Sequence, residues 1–487
     1  MSLKSFLFLK FAQWKVKQEF KTHRKAMDVQ EHFLNSWIDH NKETLFGKEH
    51  QFHNIRNYKD YQKQVPIRKY EDFIPYIEQI KSGQSKILTS LAPCYLLMTS
   101  GTTAGSKYIP ISIKGIRHQI DAAMKVLCFY ASHRNSAEFM NYKMIFLQGS
   151  PELDNKFNIP SGRLSGVVYH HVPKFFQRNK LPSYPTNIIA NWQEKLSKIV
   201  DETKHEDISI LGGIPPWCIQ YYEQLLISSG KSQLKDLFPH LEIYIHGGLD
   251  FSNYKEHTER LLGKGVSCLQ TFPASEGFFA VQDCLNADDL LLLLDQGIFY
   301  EFRPQNDNIQ KEVITLNEVE LGQRYELIIT NNSGFYRYSI GDLIEITSIE
   351  PYRIRVVGRT SQFISAFGEH VIAYEIEKTM EKAMSHFKLN IEDYFVSPNI
   401  AEKLYEWRIE LPKEMDKNVL LTLSAFLDTE LSALNKYYDH LIRGEIINNC
   451  RIIPIEKGTF KRRRVEIGKE GGQNKVVRLG QDSLLRL

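Results

Sequence analysis

A loop rich in glycine and hydroxyl residues lies between two strand-like segments early in the chain. It reads Thr99-Ser-Gly-Thr-Thr-Ala-Gly-Ser-Lys107 and directly follows the apolar run Cys94-Tyr-Leu-Leu-Met98. After the loop, the proline and β-branched residues of Tyr108-Ile-Pro-Ile-Ser112 predict an extended edge strand. Backbone N–H groups and hydroxyls of such a loop can wrap around phosphates, and its glycines permit the close approach that this requires.

The spacing of this loop excludes the P-loop of nucleoside triphosphatases. A P-loop reads G-x-x-x-x-G-K-[ST] and opens a helix. Here Gly101 and Gly105 are one residue too close together, Lys107 is not adjacent to the second glycine, and a strand is predicted to follow. By itself the loop is equally compatible with a plain Gly/Ser/Thr hairpin, so its function depends on the rest of the chain.

The distribution of apolar residues predicts an α/β chain with more than one domain. At 487 residues the chain is longer than a single core normally grows, and its middle alternates short apolar runs with helical patterns, including a helix over 116–131. From 291 to 357, short strands between polar turns predict an antiparallel sheet or a barrel-like subdomain. Longer helical segments then return, among them 429–438. We therefore place a domain boundary at 359–363.

Composition and charge exclude several classes of partner. The 61 basic and 58 acidic residues give a net charge of +3, which does not indicate nucleic acid, and the densest basic cluster, 461–464, is interpreted as a solvated loop or helix end. Six scattered cysteines without a C-x-x-C pair are typical of reduced thiols in the cytoplasm. No apolar run approaches the roughly 18 residues of a membrane span, and the apolar opening segment 3–10 is too short for a signal-peptide core. We expect a cytoplasmic protein with no nucleic-acid, membrane or obligate protein partner.

Two later segments carry residues suited to the rest of a nucleotide. Thr271-Phe-Pro-Ala-Ser-Glu-Gly277 places an aromatic ring, a hydroxyl and a carboxylate in a short turn segment. An aromatic face can stack on adenine and a carboxylate can hold Mg²⁺ against phosphates, although Glu276 alone is more typical of an acid near a helix N-terminus. Tyr336-Arg-Tyr-Ser-Ile-Gly-Asp342 sets an acid after a glycine turn between two strands. That acid suits hydrogen bonding to ribose, but for this segment taken alone an ordinary hairpin Gly-Asp turn is the favoured interpretation.

The order and kind of these segments resemble the adenylate-forming superfamily of acyl-CoA ligases, luciferases and peptide-synthetase adenylation domains. Within it, the chain is most similar to the Gretchen Hagen family, the auxin-responsive acyl acid amido synthetases of plants, and to their bacterial relatives. Asn41-Lys-Glu-Thr-Leu-Phe-Gly-Lys48 and Val65-Pro-Ile-Arg-Lys-Tyr-Glu-Asp72 resemble the family's N-terminal signature, and Gly471-Gly-Gln-Asn-Lys-Val476 resembles its closing segment. Phe272 stands where the bacterial branch usually has tyrosine, and Val477 where the family usually has proline.

This resemblance implies the architecture of an adenylate-forming enzyme. A large N-terminal α/β domain with a β-barrel-like subdomain would span 1–360, and a small, mobile α+β domain would span 361–487, with a hinge near Arg359. The implied enzyme is an ATP-dependent acyl acid amido synthetase that uses ATP and Mg²⁺. A carboxylic acid is adenylated with release of pyrophosphate, and an amine, typically that of an amino acid, then displaces AMP to form an amide. Fixed cations and N–H dipoles supply most of such catalysis, so no nucleophilic triad is needed.

The resemblance also assigns roles to individual residues. The nucleotide-binding residues that it implies are Ser100, Gly101, Thr102, Thr103 and Lys107 for the phosphates, Gly247, Gly248 and Phe272 for adenine, Ser275 for the α-phosphate, and Asp342 for ribose with Arg359 nearby. Glu276 would bind Mg²⁺ and serve catalysis. Lys475 would come from the C-terminal domain to neutralise the α-phosphate, and Lys457, Lys461 and Lys469 are its rivals.

Two other functions are compatible with the sequence. An acyl-CoA ligase performs the same first step with a thiol acceptor, and Arg462 to Arg464 could supply a site for the CoA phosphate. A non-catalytic nucleotide-binding protein is disfavoured, because every phosphate-facing residue type is present. The wall of the acyl-acid pocket has two candidates, the helix from Ile116 and the stretch Tyr169-His-His-Val172. Packing explains both equally well, since a histidine pair in a strand is more often structural.

Overall fold

The computed structural model describes most of the chain in two compact units. The described residues are 2–99, 107–248, 251, 254–304, 312–359, 363–369, 371–389, 391, 393–411, 415–460, 462 and 478–480. The first unit comprises residues 1–99, 107–189 and 197–360, and the second comprises 100–106, 190–196 and 361–487. Each unit has its own sheet and its own buried side chains.

The helices of the first unit are numbered in chain order. They are α1 Leu3–Arg24, α2 Ala26–His40, α3 Leu45–Glu49, α4 Tyr58–Gln64, α5 Ile74–Lys81, α6 Ile113–Arg134, α7 Leu164–His171, α8 Lys174–Gln177, α9 Tyr184–Asn187, α10 Trp192–Thr203, α11 Pro215–Ser229, α12 Leu234–Leu237 and α13 Lys255–Leu262. The first residues of α10 belong to the second unit. Within the described residues, no helix combines the length and the apolar character that crossing a membrane requires.

Helix α6 confirms the predicted helix over 116–131 and extends it at both ends. The hydroxyl of Ser112 accepts a hydrogen bond from the N–H of Gly115 and so begins the helix one turn earlier. At the other end Asn135 adopts the left-handed conformation with φ 46°, a common way to end a helix. Helical periodicity alone does not reveal such caps.

The strands of the first unit are also numbered in chain order. They are β1 Tyr95–Thr99, β2 Lys107–Ile111, β3 Lys143–Phe146, β4 Ser161–Gly162, β5 Lys180–Leu181, β6 Ile208–Gly212, β7 Ile243–Gly247, β8 Ser267–Ala274, β9 Gly277–Val281, β10 Leu290–Leu292, β11 Ile298–Pro304, β12 Ile314–Thr315, β13 Arg324–Asn331, β14 Tyr338–Ile349 and β15 Tyr352–Arg359. Strands β2, β1 and β4 form a small sheet in which β2 is an edge strand, as its proline predicted. The other twelve form one large sheet.

The large sheet is parallel at one end and antiparallel at the other. Its order is β12-β11-β13-β14-β15-β10-β9-β8-β7-β6-β3-β5, and the pairs among β5, β3, β6, β7 and β8 are parallel. Every residue of β6 is buried, as expected for a parallel strand covered on both faces. The pairs from β8 to β12 are antiparallel, which confirms the antiparallel sheet predicted over 291–357.

The antiparallel part of the sheet curls back so that strands distant in its order touch. The rings of Phe279 in β9 and Tyr300 in β11 meet edge to face with centroids 6.5 Å apart. A Cβ atom on Gly277 would lie 2.5 Å from Cδ1 of Ile298, so a larger residue here would have to displace the Ile298 side chain. This curvature brings the turn between β8 and β9 against β11 and β13.

A buried ion cluster joins α1 to α6. The Lys125 amine of α6 pairs with the carboxylates of Glu19 and Asp295, and both Lys125 and Glu19 are almost fully buried. Burial raises the pKa of Glu19 to about 7 and lowers the pKa of the neighbouring His23 to about 4. A buried lysine between two carboxylates fixes the register of the two helices, because each charge needs its partner.

The second unit is an α+β unit. It contains β16 Phe363–Ile364, β17 Val371–Ile372, α14 Ala373–Phe387, β18 Tyr394–Asn399, β19 Leu404–Glu410, α15 Lys417–Leu434, α16 Lys436–Arg443 and β20 Arg451–Ile455. Strands β18 and β19 are antiparallel, and β20 pairs with β19 in parallel. The single helix predicted over 429–438 is wrong, because Asn435 ends α15 and its side-chain oxygen accepts from the N–H groups of Tyr437 and Tyr438 at the start of α16.

A second buried ion pair holds the start of β14 against β11. The Nε of Arg337 donates to both carboxylate oxygens of Glu301 at 2.9 and 3.1 Å, and its Nη1 donates to the carbonyl of Val65 at 2.9 Å. Both side chains are almost fully buried. Burial raises the pKa of Glu301, while the Arg337 guanidinium opposes that effect.

Replacing Arg337 by methionine should lower the free energy of unfolding by about 3–5 kcal/mol, because Glu301 would stay buried without its cation. Urea denaturation followed by tryptophan fluorescence measures the loss. Arg324→Met is the matched control, since Arg324 is exposed and pairs with Glu345 at 3.6 Å; it should cost less than about 1 kcal/mol. Equal losses in the two variants would contradict this role for the buried pair.

Candidate active site

The carboxyl ends of β7 and β8 meet at a stretch of backbone without side chains. Gly247 pairs with Thr271, and a Cβ atom on Gly247 would lie 2.5 Å from the Thr271 carbonyl oxygen. Gly248 follows with φ +81°, a conformation that favours glycine. In an open α/β sheet, ligands bind outside the carboxyl ends of the parallel strands. Gly247 is therefore required by its close packing on β8, and the exposed Gly248 leaves the backbone open to a flat ligand where the fold favours binding.

His246 supports the carboxyl end of β7 through its ring and its backbone carbonyl. Its ring stacks on Phe251 with centroids 3.7 Å apart, and its carbonyl accepts a hydrogen bond from the Thr271 hydroxyl at 2.9 Å. Burial lowers the pKa of His246 to about 3, so the ring is neutral at physiological pH. A neutral, stacked imidazole is a rigid support for the backbone of Gly247.

Ser275 and Glu276 form the turn between β8 and β9. Ala274 pairs with Gly277 across this turn, so Glu276 lies at a hairpin tip and the alternative of a helix N-terminus is wrong. Phe272 lies in β8, three residues before Ser275, and is half-buried. Its ring meets the Phe279 ring edge to face, with centroids 5.0 Å apart. The predicted turn is confirmed, and it lies at the carboxyl end of β8.

Three elements hold this turn in place. The side-chain amide of Asn331, at the end of β13, donates to the Glu276 carbonyl at 2.7 Å. The Tyr338 hydroxyl, at the start of β14, donates to Glu276 Oε1 at 3.4 Å. From α6, the Gln119 amide donates to the Ala274 carbonyl at 2.9 Å. The backbone of the turn is thus held by residues that are remote in the chain, and the Glu276 carboxylate has one long contact with Tyr338.

The side-chain amide of Asn331 forms hydrogen bonds to two turns. While its Nδ2 donates to Glu276, its Oδ1 accepts from the N–H groups of Ser333 and Phe335 at 3.0 and 3.2 Å. Asn331 is buried, so an unmatched amide here would be costly. One amide therefore fixes the β13–β14 turn and ties it to the β8–β9 turn.

Asp342 lies inside β14, not in a turn between two strands. Glu326 pairs with Leu343 and Ile328 pairs with Ser339, so residues 340–342 bulge out of the β13 ladder. Gly341 has φ +82°, and such bulges commonly redirect a side chain beside an active site. Asp342 is buried, and its backbone pairs with Arg359 in β15. The predicted glycine turn is thus a strand bulge, because β14 continues through it.

Comparison with protein families identifies the origin of this arrangement. The GH3 family N-terminal domain matches residues 16–191, the GH3 family central domain matches 291–359, and the GH3 family C-terminal domain matches 374–483. Together the three matches cover most of the chain, in the family's order. The chain belongs to the GH3 family.

Known GH3 proteins and their structures resemble the chain over almost its whole length. The jasmonoyl–L-amino acid synthetase JAR4 of Nicotiana attenuata is 22% identical, and the alignment covers 93% of this chain and 90% of the relative. The acyl acid amido synthetase AtGH3.15 in complex with 2,4-DB has a TM-score of 0.63 at 15% identity and covers 98% and 94%. 2-Hydroxyisobutyryl-CoA ligase has a TM-score of 0.64 at 13% identity and covers 95% and 91%. The fold is that of adenylate-forming enzymes.

The Gly/Ser/Thr loop connects β1 to β2, and these two strands pair with each other. Thr99 and Lys107 are register partners in the antiparallel pair of β1 and β2, and the Lys107 amine lies 5.0 Å above the Tyr70 ring. The predicted site residues that lie outside the described residues are Ser100, Gly101, Thr102, Thr103 and Lys475. Of Arg359 the structure describes the backbone alone.

The Glu276 carboxylate suits a cation that is also bound by substrate phosphates. Within the described residues, no three or more His, Cys, Asp or Glu side chains cluster around a possible metal. Mg²⁺ commonly takes one or two carboxylates from a protein and completes its octahedron with phosphate oxygens and water. The half-buried Glu276 carboxylate at the turn fits that requirement.

A small polar recess beside Glu276 contains residues that no motif identified, although the helix from Ile116 was a candidate for a pocket wall. His118 and Gln119 of α6, Gln296 and Asn332 line it with Glu276. The Asn332 amide lies 3.0 Å from His118 Nδ1, and burial lowers the pKa of His118, so this ring accepts as a neutral imidazole. The cluster of polar residues and glycine over 331–334 between two predicted strands was the available signal.

His170 and His171 lie in a helix, where a strand was predicted, and each makes a structural contact. Residues 169–171 lie in the helix α7 and not in a strand. The Nε2 of His170 lies 2.7 Å from the Pro151 carbonyl oxygen, and the Nε2 of His171 lies 3.0 Å from the Tyr95 hydroxyl. Both rings therefore tie α7 to its neighbours within the first unit.

Changing Asn331 to aspartate should lower the free energy of unfolding by about 1–3 kcal/mol, because an oxygen would replace the donor that faces the buried Glu276 carbonyl. Urea denaturation measures the loss. Asn317→Asp, at an exposed turn where the side-chain oxygen accepts from Thr315, should change stability by less than about 0.5 kcal/mol. The interpretation of Asn331 fails if the two variants are equally stable.

Proposed function

We propose that this GH3-family protein is an ATP-dependent acyl acid amido synthetase. The observation that carries the proposal is the Ser275–Glu276 turn, held by Asn331 and Tyr338 beside the bare backbone of Gly247 and Gly248. A carboxylate and an open backbone at the carboxyl ends of parallel strands suit a nucleotide with its phosphates and cation.

In the first half-reaction, an oxygen of the substrate carboxylate attacks the α-phosphorus of ATP. The P–O bond to pyrophosphate breaks, and pyrophosphate leaves with the electron pair of that bond. Ser100, Thr102, Thr103 and Lys107 bind the leaving phosphates, and Glu276 would hold a Mg²⁺ ion whose charge would neutralise them. Asp342 binds the ribose hydroxyls. Charge develops on phosphate oxygens, so these fixed partners lower the barrier.

In the second half-reaction, a neutral amine attacks the acyl carbon of the adenylate. The amide bond forms, the bond from the acyl carbon to the bridging oxygen breaks, and AMP leaves with that oxygen, while the amine loses a proton. No covalent bond to the enzyme is required. We assign Lys475 to neutralise the α-phosphate during the first step, and we assign the separation of the two steps to movement of residues 361–487, whose boundary stays a prediction.

Membership of the GH3 family favours an amine acceptor over CoA, whereas the fold is compatible with both acceptors. The two solved structures, an amido synthetase and a CoA ligase, resemble the chain equally well, so the architecture serves both acceptors. The family models are those of GH3 proteins, and the relative JAR4 is named for joining an acid to an amino acid. We therefore propose an amino acid as acceptor, and the cytoplasm as the compartment that supplies ATP and Mg²⁺.

Carboxylate-dependent exchange of labelled pyrophosphate into ATP tests the first half-reaction. A panel of carboxylic acids should contain one that stimulates exchange in the intact protein. Glu276→Ala should lower that exchange about 100-fold or more, because the cation loses its protein ligand. Glu256→Ala, at an exposed position of α13, should leave it unchanged. Absence of exchange with every acid would overturn the proposal.

Product analysis then separates the two acceptors. The acid that supports exchange is incubated with ATP and either an amino-acid mixture or CoA, and the products are identified by mass spectrometry. The proposal requires an amide and stoichiometric AMP. A thioester without an amide would assign the chain to the CoA ligases instead.

A further inference from the structure

Helix α1 presents an apolar stripe to solvent. Leu3, Leu7 and Trp14 are 74%, 59% and 53% exposed, and Phe6 and Phe11 flank them with 43% and 40% exposed. These five are among the thirteen large hydrophobic side chains that are exposed in the described part of the chain. The other eight are scattered from Ile113 to Leu421. Such a concentration on one helix marks an interaction surface.

The opposite face of α1 is already buried. Phe8, Leu9 and Ala12 lie in the hydrophobic cluster that α1 shares with α6. The first half of the helix therefore carries apolar side chains on its buried face and on its exposed face, and apolar residues on both faces are typical of a helix that is covered on both sides. Packing on α6 does not explain the outer stripe.

The outer face continues as a basic surface. Lys10, Lys17, Lys21 and Arg24 are exposed and follow the same helical spacing as the apolar stripe. The single acidic residue of the helix, Glu19, is buried against Lys125. The exposed charges of α1 are thus all positive.

An anionic bilayer complements both halves of this face. A helix with an exposed apolar and aromatic stripe and neighbouring lysines lies in the headgroup region, with its apolar side chains inserted. Each basic residue near an anionic leaflet adds to the attraction. A second copy of the chain complements the face less well, because two α1 helices paired antiparallel about a two-fold axis would set the basic half of each helix against the apolar half of the other.

We propose that α1 docks this protein on anionic membrane surfaces, with Leu3, Leu7, Phe11 and Trp14 at the acyl boundary and Lys17 and Lys21 at the headgroups. The expected absence of a membrane partner was based on spanning segments, and α1 is an interfacial helix. The contact does not depend on the proposed catalytic function.

Trp14 makes the proposal directly measurable. The chain has five tryptophans, and Trp37, Trp192, Trp217 and Trp407 are all less than 9% exposed. Iodide in solution should therefore quench mainly Trp14. Vesicles of phosphatidylcholine with roughly one third phosphatidylserine should shift its emission to shorter wavelength and protect it from iodide. Pure phosphatidylcholine vesicles should do so much less.

Variants in flotation with the same vesicles separate the two halves of the face. Leu7→Glu should weaken binding about tenfold through loss of insertion, and Lys17→Glu with Lys21→Glu should do so at least as strongly through charge reversal. Ile227→Glu changes a residue that is 83% exposed on α11 and should bind like the unaltered protein. Equal unfolding midpoints for all variants show that folding is unaffected.

Other outcomes overturn the proposal. It fails if the protein does not float with the anionic vesicles, or if the α1 variants bind as well as the unaltered chain. It also fails if sedimentation shows a dimer that Leu7→Glu dissociates while vesicles leave Trp14 open to iodide. That result would assign the stripe to a second copy of the chain.

Discussion

The amide of Asn331 is the contact on which the candidate site depends. It links the end of β13 to the turn between β8 and β9, across 55 positions of sequence. The curl of the antiparallel strands makes this contact possible, and the contact holds the backbone of Glu276 at the turn. Arg337, a few residues later, secures the same region to β11 through a buried ion pair. The site is thus held by the curved sheet and not by its own loops.

Much of the fold follows from local pattern. The α/β alternation in the middle of the chain and helix α6 were predicted from apolar runs and helical periodicity, and the Ser275–Glu276 turn from its residue types. What local pattern missed depends on single residues. Asn435 splits one predicted helix into two by offering its side chain to the next backbone N–H groups. Gly341 produces a bulge and not a turn, because β14 continues on both sides of it.

Only part of the candidate site could be predicted, because motifs record local sequence and not contacts between distant segments. Motifs identify residues that are close in sequence, so they singled out Gly247, Glu276 and Asp342 as site residues, and their roles stay predictions. His118, Gln119 and Asn332 meet Glu276 through packing of α6 and the β13–β14 turn, and no motif records such long-range contacts. The outer face of α1 shows the same limit, since the sequence marks residues 3–10 as apolar but not as exposed. Burial is a property of the fold.

The proposed reaction joins an acid to an amine through an acyl-adenylate. Labelling both carboxylate oxygens of the substrate acid with oxygen-18 follows this route atom by atom, because the oxygen that attacks the α-phosphorus stays with AMP when the amine displaces it. One labelled oxygen should appear in AMP for every amide formed. Label in inorganic phosphate, with ADP as the product, would show an acyl-phosphate route and contradict it.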